Sequence, residues 1–503
     1  MLKNVSSNWV LTLVQIAVTF VLMPFTIRML GQDQYGTWIL IASITSYLSM
    51  LALGVPMATV RFVARYSSGG EQEELDRAVG SCAGLYAMIG AAAMVCGIIL
   101  YVVFRSIYDL PAGLDGPASI AFGIVVIYIA AGFFGQLPYG IMSAHHDFVL
   151  KNKIQIAGLV LRLGLTYVLL TYRATFIWLA VIQLSTLTAE FAIAMIMVRR
   201  RYPHIHVRFR DFDWGMVRRI FSFSLFVLVL QVGGQLTFQT DSLVIGAFLP
   251  VSQIPYFTVA SSLSVYVMEF VIAIAAVVMP MATSLEAKGE WDQLRVVFLK
   301  WSKITLSLTL MVSVYLVVLG PRFIGWWIGD EFVGPAGAVL RILMLANLVF
   351  LPVRGVALPV LMGLGKPGRP TIAFLIASVV NLGLSIALVR PMGLNGVALG
   401  TAVPNVVYAS FVLLLACRVL NIRITEWVGY VLGRTVIGVI PVAAFAWWLR
   451  FTLDVHGFLE LFLAGIATVL VFGVVWVVVV YRRDRYVALP GFLARLAGGS
   501  PPS

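Results

Sequence analysis

The stretch "GLVLRLGLTYVLL" at residues 158–170 carries one charge, Arg162, far from any charged flank. A guanidinium at the centre of a membrane helix costs roughly 2.5–3.5 kcal/mol to insert, so it needs a partner or a hydrated cavity. Two roles are open for it: an anion-binding site built from charge-assisted hydrogen bonds, or a buried pair with Glu190 or helix-capping carbonyls. Arg354 and Arg341 raise the same question in the apolar run at 335–362, while Arg28 and Arg61 lie near span ends, where long side chains reach water by snorkelling. Gln231, Gln235 and Gln239 are spaced at i, i+4 and i+8 and form one polar helical stripe that either binds helices together or lines water. Asp241 follows that stripe, and Glu190 and Glu269 are the other intramembrane acids. Each acid can pair with an arginine or exchange a proton, which makes the three of them candidates for coupling transport to a proton or sodium gradient.

Signatures of covalent or metal chemistry are weak. "GLGKPG" at 363–368 satisfies G-x-G-x-x-G, but it lies between two apolar runs and reads as a turn. "DFD" at 211–213 has the Asp-x-Asp form of some metal-dependent glycosyltransferases, but here it sits among arginines. His145, His146, His204 and His206 lack matching ligands, and Cys82, Cys96 and Cys417 have no CxxC spacing. No metal site and no bound cofactor is expected.

The elements that must position these residues are membrane helices. Hydrophobic residues make up 61% of the 503-residue chain and charged residues only 11%, which excludes an ordinary soluble domain. Apolar runs of about 20 residues or more recur fourteen times, roughly at 6–29, 36–63, 78–104, 118–143, 150–171, 174–198, 220–248, 254–284, 296–319, 335–362, 370–389, 394–419, 427–449 and 458–481. The first run lacks a convincing cleavage site and reads as a retained span. Placing the N-terminus in the cytoplasm puts most basic residues on inner connectors, which predicts that both termini are cytoplasmic. The net charge of +13 therefore points to topology and to contact with anionic membrane lipids, not to nucleic acid, with "RRRYPHIHVRFRDFDWGMVRR" at 199–219 the richest segment.

An internal repeat organises the spans. "LRLGLTYVLL" at 161–170 aligns with "VNLGLSIALV" at 380–389, "WILIAS" at 38–43 with "YFTVAS" at 256–261, and Leu137-Pro138 with Leu358-Pro359, all at nearly one offset. The offset covers six spans, an even number, so the halves enter the membrane in the same direction. The expected fold is an all-α polytopic membrane protein: two parallel-repeat six-helix lobes, 1–209 and 210–424, around a central cleft, with spans 13 and 14 and a cytoplasmic tail in 425–503. Arg162 aligns with Asn381, so fold symmetry alone does not require an arginine there; Asn381 joins the arginines and glutamines as a candidate substrate contact.

"IRMLGQDQYGTWILIASITSYL" at 27–48, "QTDSLVIGAFLPVSQIPYFTVASSL" at 239–263 and "GLNGVALGTAVPNVV" at 393–407 resemble segments of the bacterial polysaccharide transporters, the O-antigen flippase family of the multidrug/oligosaccharidyl-lipid/polysaccharide (MOP) exporter superfamily. The residues on those segments are Arg28, Gly31, Tyr35, Gly36, Asp241, Gly246, Gly393 and Gly396; the family's Gly-x-Tyr after the seventh helix is Ile254-Pro255-Tyr256 here. The resemblance implies a bacterial inner-membrane flippase, not an enzyme, that carries an undecaprenyl-diphosphate-linked oligosaccharide for O-antigen, capsule or exopolysaccharide assembly by alternating access. A polysaccharide polymerase and chain-length machinery are the protein partners it suggests. Arginines suit the diphosphate and the glutamine stripe suits sugar hydroxyls, while the polyprenyl tail is expected at a lobe seam or beside spans 13 and 14. The alternatives are a lipid II flippase, a cation-coupled multidrug antiporter, whose cavity would favour carboxylates, and an integral-membrane glycosyltransferase, which would more often carry a large catalytic outer loop.

Overall fold

The computed structural model describes residues 2–52, 54–220, 235, 239–452 and 457–487, and every regular element among them is helical. The chain divides into two compact units, Met1–Pro255 and Tyr256–Ser503. The first contains α1 (Leu2–Ser46), α2 (Val55–Gly69), α3 (Gln72–Ile107), α4 (Asp115–Ala144), α5 (Phe148–Tyr172), α6 (Ile177–Arg201) and the short α7 (Thr240–Phe248). The second contains nearly all of α8 (Ile254–Ala287), then α9 (Trp291–Val318), α10 (Pro335–Gly363), α11 (Gly368–Val419), α12 (Ile424–Thr452) and α13 (Phe458–Val480).

Eleven helical stretches among the described residues are long and apolar enough to cross a membrane. Two of them, Ser7–Gly69 and Gly368–Val419, are broken by glycines and each holds two expected spans. The expected span at 220–248 falls mostly outside the described residues. Gly31 (φ 72°, ψ 173°) interrupts α1, and Gly393 (φ 57°, ψ −136°) interrupts α11. Both lie in the positive-φ region that glycine enters without a Cβ penalty.

After Gly393 the chain packs back on itself. A Cβ on Gly396 would strike the Leu388 carbonyl, one on Gly400 would strike Ser385, and Asn381 Nδ2 donates to Thr401 Oγ1 at 3.0 Å. Small residues at such a crossing let two backbones approach closely, which matters where lipid provides no hydrophobic drive for helices to associate. The antiparallel neighbours α5 and α6, joined across Arg173–Phe176, show the same logic: the face of Gly158 lies against the Glu190 carboxylate.

The core of the first unit packs α2, α3 and α4 with the basic connector, whose Ile205, Met216 and Ile220 are buried among Val79, Tyr86 and Leu137. Within it the buried hydroxyls of Thr59 and Tyr86 partner one another, Oγ1 to OH at 3.1 Å. The Asp-x-Asp segment has a structural role. Asp213 Oδ1 and Oδ2 accept the amides of Gly215 and Met216 at 3.1 and 2.9 Å, an N-cap, and those two bonds hold its carboxyl below the usual carboxylate range.

In the second unit, Lys303 of α9 is 2% exposed and donates to Asp484, just beyond α13, at 2.5 Å. Its ammonium also lies 4.7 Å from the Tyr430 ring centre and 5.6 Å from that of Tyr481. Asp484 further accepts from Tyr430 OH at 2.7 Å and from the amides of Tyr486 and Val487, both at 2.9 Å. This cluster fastens the ends of α12 and α13 to α9. Burial alone would raise the Asp484 carboxyl, but Lys303 and the three hydrogen-bond donors outweigh it and hold the group below the usual carboxylate range. A depressed carboxyl contributes stability that is complete above its ordinary pKa of about 3.9 and is lost as pH falls through the folded value. Asp484→Ala, which strands the buried ammonium, is expected to cost about 3–5 kcal/mol, and the double variant Lys303→Met/Asp484→Leu to recover most of it. Melting of detergent-purified protein between pH 3 and pH 7 checks both points, with the acid loss expected in wild type and absent from the double variant.

Candidate functional site

Arg162 lines a recess of about 110 Å³ within the first unit, between α1, α5 and α6. Thr26, Tyr35, Trp38 and Thr166 share that wall, so hydroxyl groups and two aromatic rings flank the cation. Its own backbone is satisfied, since Thr166 Oγ1 returns to the Arg162 carbonyl at 2.7 Å. The side chain is exposed, and among the described residues no ion pair joins it to Glu190. Glu190 is held by Tyr139 OH at 2.9 Å instead, with the Arg162 charge acting on it only from a greater distance. Tyr139 went unnoticed in the sequence as a partner, although it adjoins the Leu-Pro landmark of α4.

A second polar group forms where the turn after α1 meets α7. Tyr47 OH and Thr240 Oγ1 are 2.9 Å apart, Gln235 Nε2 donates to Ser49 Oγ at 3.2 Å, and Asp241 is buried beside them, close enough for its charge to act on Tyr47. The backbone amide of Gln239 donates to the Gln235 carbonyl at 3.0 Å, and Gln231 lies outside the described residues. Arg28 and Arg61 are exposed on α1 and α2.

In the second unit, Arg354 sits in the π-turn Val353–Ala357 that follows Pro352, with its charge acting on Tyr408. π-turns recur at functional positions because they redirect one side chain without ending the helix. Arg341 Nε donates to the Val317 carbonyl at 3.0 Å, and Asn381 is buried in the α11 hairpin against Thr401. Glu269 is exposed on α8. The structure thus brings Arg162 into one recess with Thr26, Tyr35 and Trp38, and gathers Gln235 and Asp241 near Tyr47. It ties Arg341 and Asn381 to neighbouring helices.

Comparison with known proteins agrees with this architecture. The family model described as "Polysaccharide biosynthesis protein" matches residues 1–286. The "Uncharacterized membrane protein EpsK" of Bacillus subtilis is 21% identical, over 97% of each chain. The "Probable low-salt glycan biosynthesis flippase Agl15" of Haloferax volcanii is 26% identical over 37% of this chain and 39% of its own. Among solved structures, the lipid II flippase MurJ in an inward closed conformation superposes with a TM-score of 0.70 at 16% identity, covering 95% of this chain and 99% of that one. An inward-facing MATE-family multidrug transporter of the MOP superfamily gives a TM-score of 0.67 at 16% identity, over 82% and 94%. At such identity these two likenesses establish the all-helical polytopic fold. Since the family model covers more than half of its length, the chain belongs to the polysaccharide biosynthesis protein family, and its fold is that of a multi-pass helical membrane protein.

Proposed function

We propose that this chain flips an undecaprenyl-diphosphate-linked oligosaccharide across the bacterial inner membrane, for O-antigen, capsule or exopolysaccharide assembly. The two lobes, 1–209 and 210–424, alternate a central cleft between the two leaflets, with 425–503 an addition and both termini cytoplasmic. One observation carries the reading: Arg162, deep in a span, lies open in a recess with hydroxyls and aromatic rings while the nearby Glu190 is engaged by Tyr139. An arginine left open at this depth suits a ligand that brings its own negative charge, and a diphosphate accepts several charge-assisted hydrogen bonds. Hydroxyl and aromatic neighbours suit a sugar. Gln235 and Gln239 near the turn after α1, and Arg354, Arg28 and Arg61 elsewhere, extend the proposed path. The glycan flippase name of the Haloferax relative supports the substrate class.

Deleting the gene tests the function directly. A lipid-linked oligosaccharide is expected to accumulate on the cytoplasmic leaflet; accumulation of lipid II, or drug sensitivity with normal glycan, refutes the reading in favour of its rivals.

At matched membrane abundance, Arg162→Ala and Arg354→Ala are expected to cut glycan export roughly 10- to 100-fold, the equivalent of losing about 1.5–3 kcal/mol of charged hydrogen bonding, and Arg162→Lys to cut it less. Export at the wild-type level in both alanine variants removes the cationic site.

Glu190, Asp241 and Glu269 are the proposed ion-coupling acids. Of Glu190→Gln, Asp241→Asn and Glu269→Gln, at least one is expected to make transport insensitive to collapse of the proton or sodium gradient. If all three respond as wild type does, coupling by these residues is excluded.

A further inference from the structure

The membrane-facing side of α11 carries a groove that none of the transport chemistry above uses. It occupies about 420 Å³ between the two arms of the hairpin and is almost wholly apolar. One wall is a single stripe of the first arm, with Ile372, Ile376 and Val380 projecting and Ala373 and Ala377 leaving gaps between them. The facing arm contributes Val403, Val407 and Phe411, and Tyr408 is buried against Phe374 at a ring-centre distance of 5.4 Å. Ile372 and Val407 remain 60% and 63% exposed, so the groove opens towards the surrounding hydrocarbon and not into the unit.

One end is charged. Arg369 lines both the groove and an adjoining recess of about 430 Å³, which it shares with Lys366, Gly368, Leu415 and others. Among the described residues neither Lys366 nor Arg369 is in an ion pair, whereas Arg295, also at the end of a helix, pairs with Asp292 at 2.9 Å. The first turn of α11 begins at Gly368, so its unsatisfied amides add positive potential at the same place.

We propose that this groove holds the polyprenyl chain of the lipid-linked substrate as it enters from the membrane interface, with its diphosphate against Lys366 and Arg369 at this first stage and at Arg162 only later in the passage. The assignment rests on the flippase reading above and adds a tail site on spans 11 and 12, away from spans 13 and 14. Arg369 to Val380 covers about 16 Å of helix, half the thickness of the hydrocarbon core, so a headgroup at the interface leaves the chain running to mid-membrane. A volume of 420 Å³ spread over that length admits one chain, not the paired chains of a phospholipid. A polyprenyl chain is single and carries regular methyl branches, which can interdigitate with the alternating branched and small residues of the stripe. Two cations and a helix N-terminus match the charge of a diphosphate better than that of a single phosphodiester.

The full-length protein is purified in detergent and titrated with undecaprenyl diphosphate, and separately with phosphatidylglycerol, with bound lipid read by native mass spectrometry. Wild type is expected to bind the polyprenyl lipid at least 10-fold more tightly than phosphatidylglycerol. Ala373→Phe/Ala377→Phe, which fills the gaps, and Lys366→Glu/Arg369→Glu, which reverses the charge, are each expected to weaken it at least 10-fold. Leu470→Phe, the same bulk on the membrane face of α13, is the control and should bind as wild type does. Equal affinity for the two lipids, no binding of the polyprenyl lipid by wild type, or unchanged binding by the gap-filling variant overturns the groove. The flippase reading stands or falls separately, on the intermediate that accumulates when the gene is deleted.

Discussion

Hydrocarbon offers a backbone no hydrogen bonds, and that single constraint organises this chain. Every span must close its own N–H and C=O ladder, so every regular element among the described residues is a helix. It also restricts where a ladder can be interrupted. Among the described residues the breaks include Gly31, Gly393 and the π-turns at Val353–Ala357, Val428–Leu432 and Trp476–Val480. Three of them coincide with features of the fold: α1 changes course three residues after Arg28, α11 doubles back to form the groove, and Arg354 is turned out of register with its own helix.

The same constraint sorts the polar side chains. A cation or amide donor that cannot find water does best with a partner, and the second unit gives three examples: Lys303 has a carboxylate, a carbonyl and two aromatic faces, the Arg341 Nε a carbonyl, and the Asn381 amide nitrogen a threonine hydroxyl. These residues hold helices together. Against that background Arg162 and the pair Lys366 and Arg369 differ, because each faces open space beside groups that suit a ligand. The contrast between engaged and open cations, more than the number of cations, is what directs attention to the recess and the groove.

Much of this was legible in the sequence. The apolar runs mark the spans because the cost of a charge in lipid is severe, whereas the Leu-Gly-Leu segments of α5 and of the first arm of α11 turn out not to be packing positions, since Gly164 and Gly383 are exposed with open space about them. What the sequence conceals is partnership across long separations. Glu190 reads as a mate for Arg162, yet Tyr139, 51 residues away in the chain, takes that place. Lys303 stands inside the apolar run at 296–319 with no partner near it in the sequence, and only the fold brings Asp484 to it across 181 residues. Concave surfaces are equally hidden. Ala373 and Ala377 are unremarkable in an apolar run until a second arm stands opposite them and their missing side chains become gaps.

The repeat then explains why the two hairpins differ in chemistry while agreeing in form. In both, two antiparallel helices meet through small residues, at Gly158 in the first and at Gly396 and Gly400 in the second. In the second hairpin the position aligned with Arg162 is Asn381, closed off by Thr401, and its outer surface carries the apolar groove. In the first, that position is a cation open to a recess, with a carboxylate nearby on the facing helix. Hairpins of one form thus present a polar surface in one unit and an apolar surface in the other. An amphiphile with a charged, hydroxylated head and a hydrocarbon tail needs both, and two hairpins of one form can provide them because the close contacts at Gly158, Gly396 and Gly400 leave the remaining helix faces free to differ.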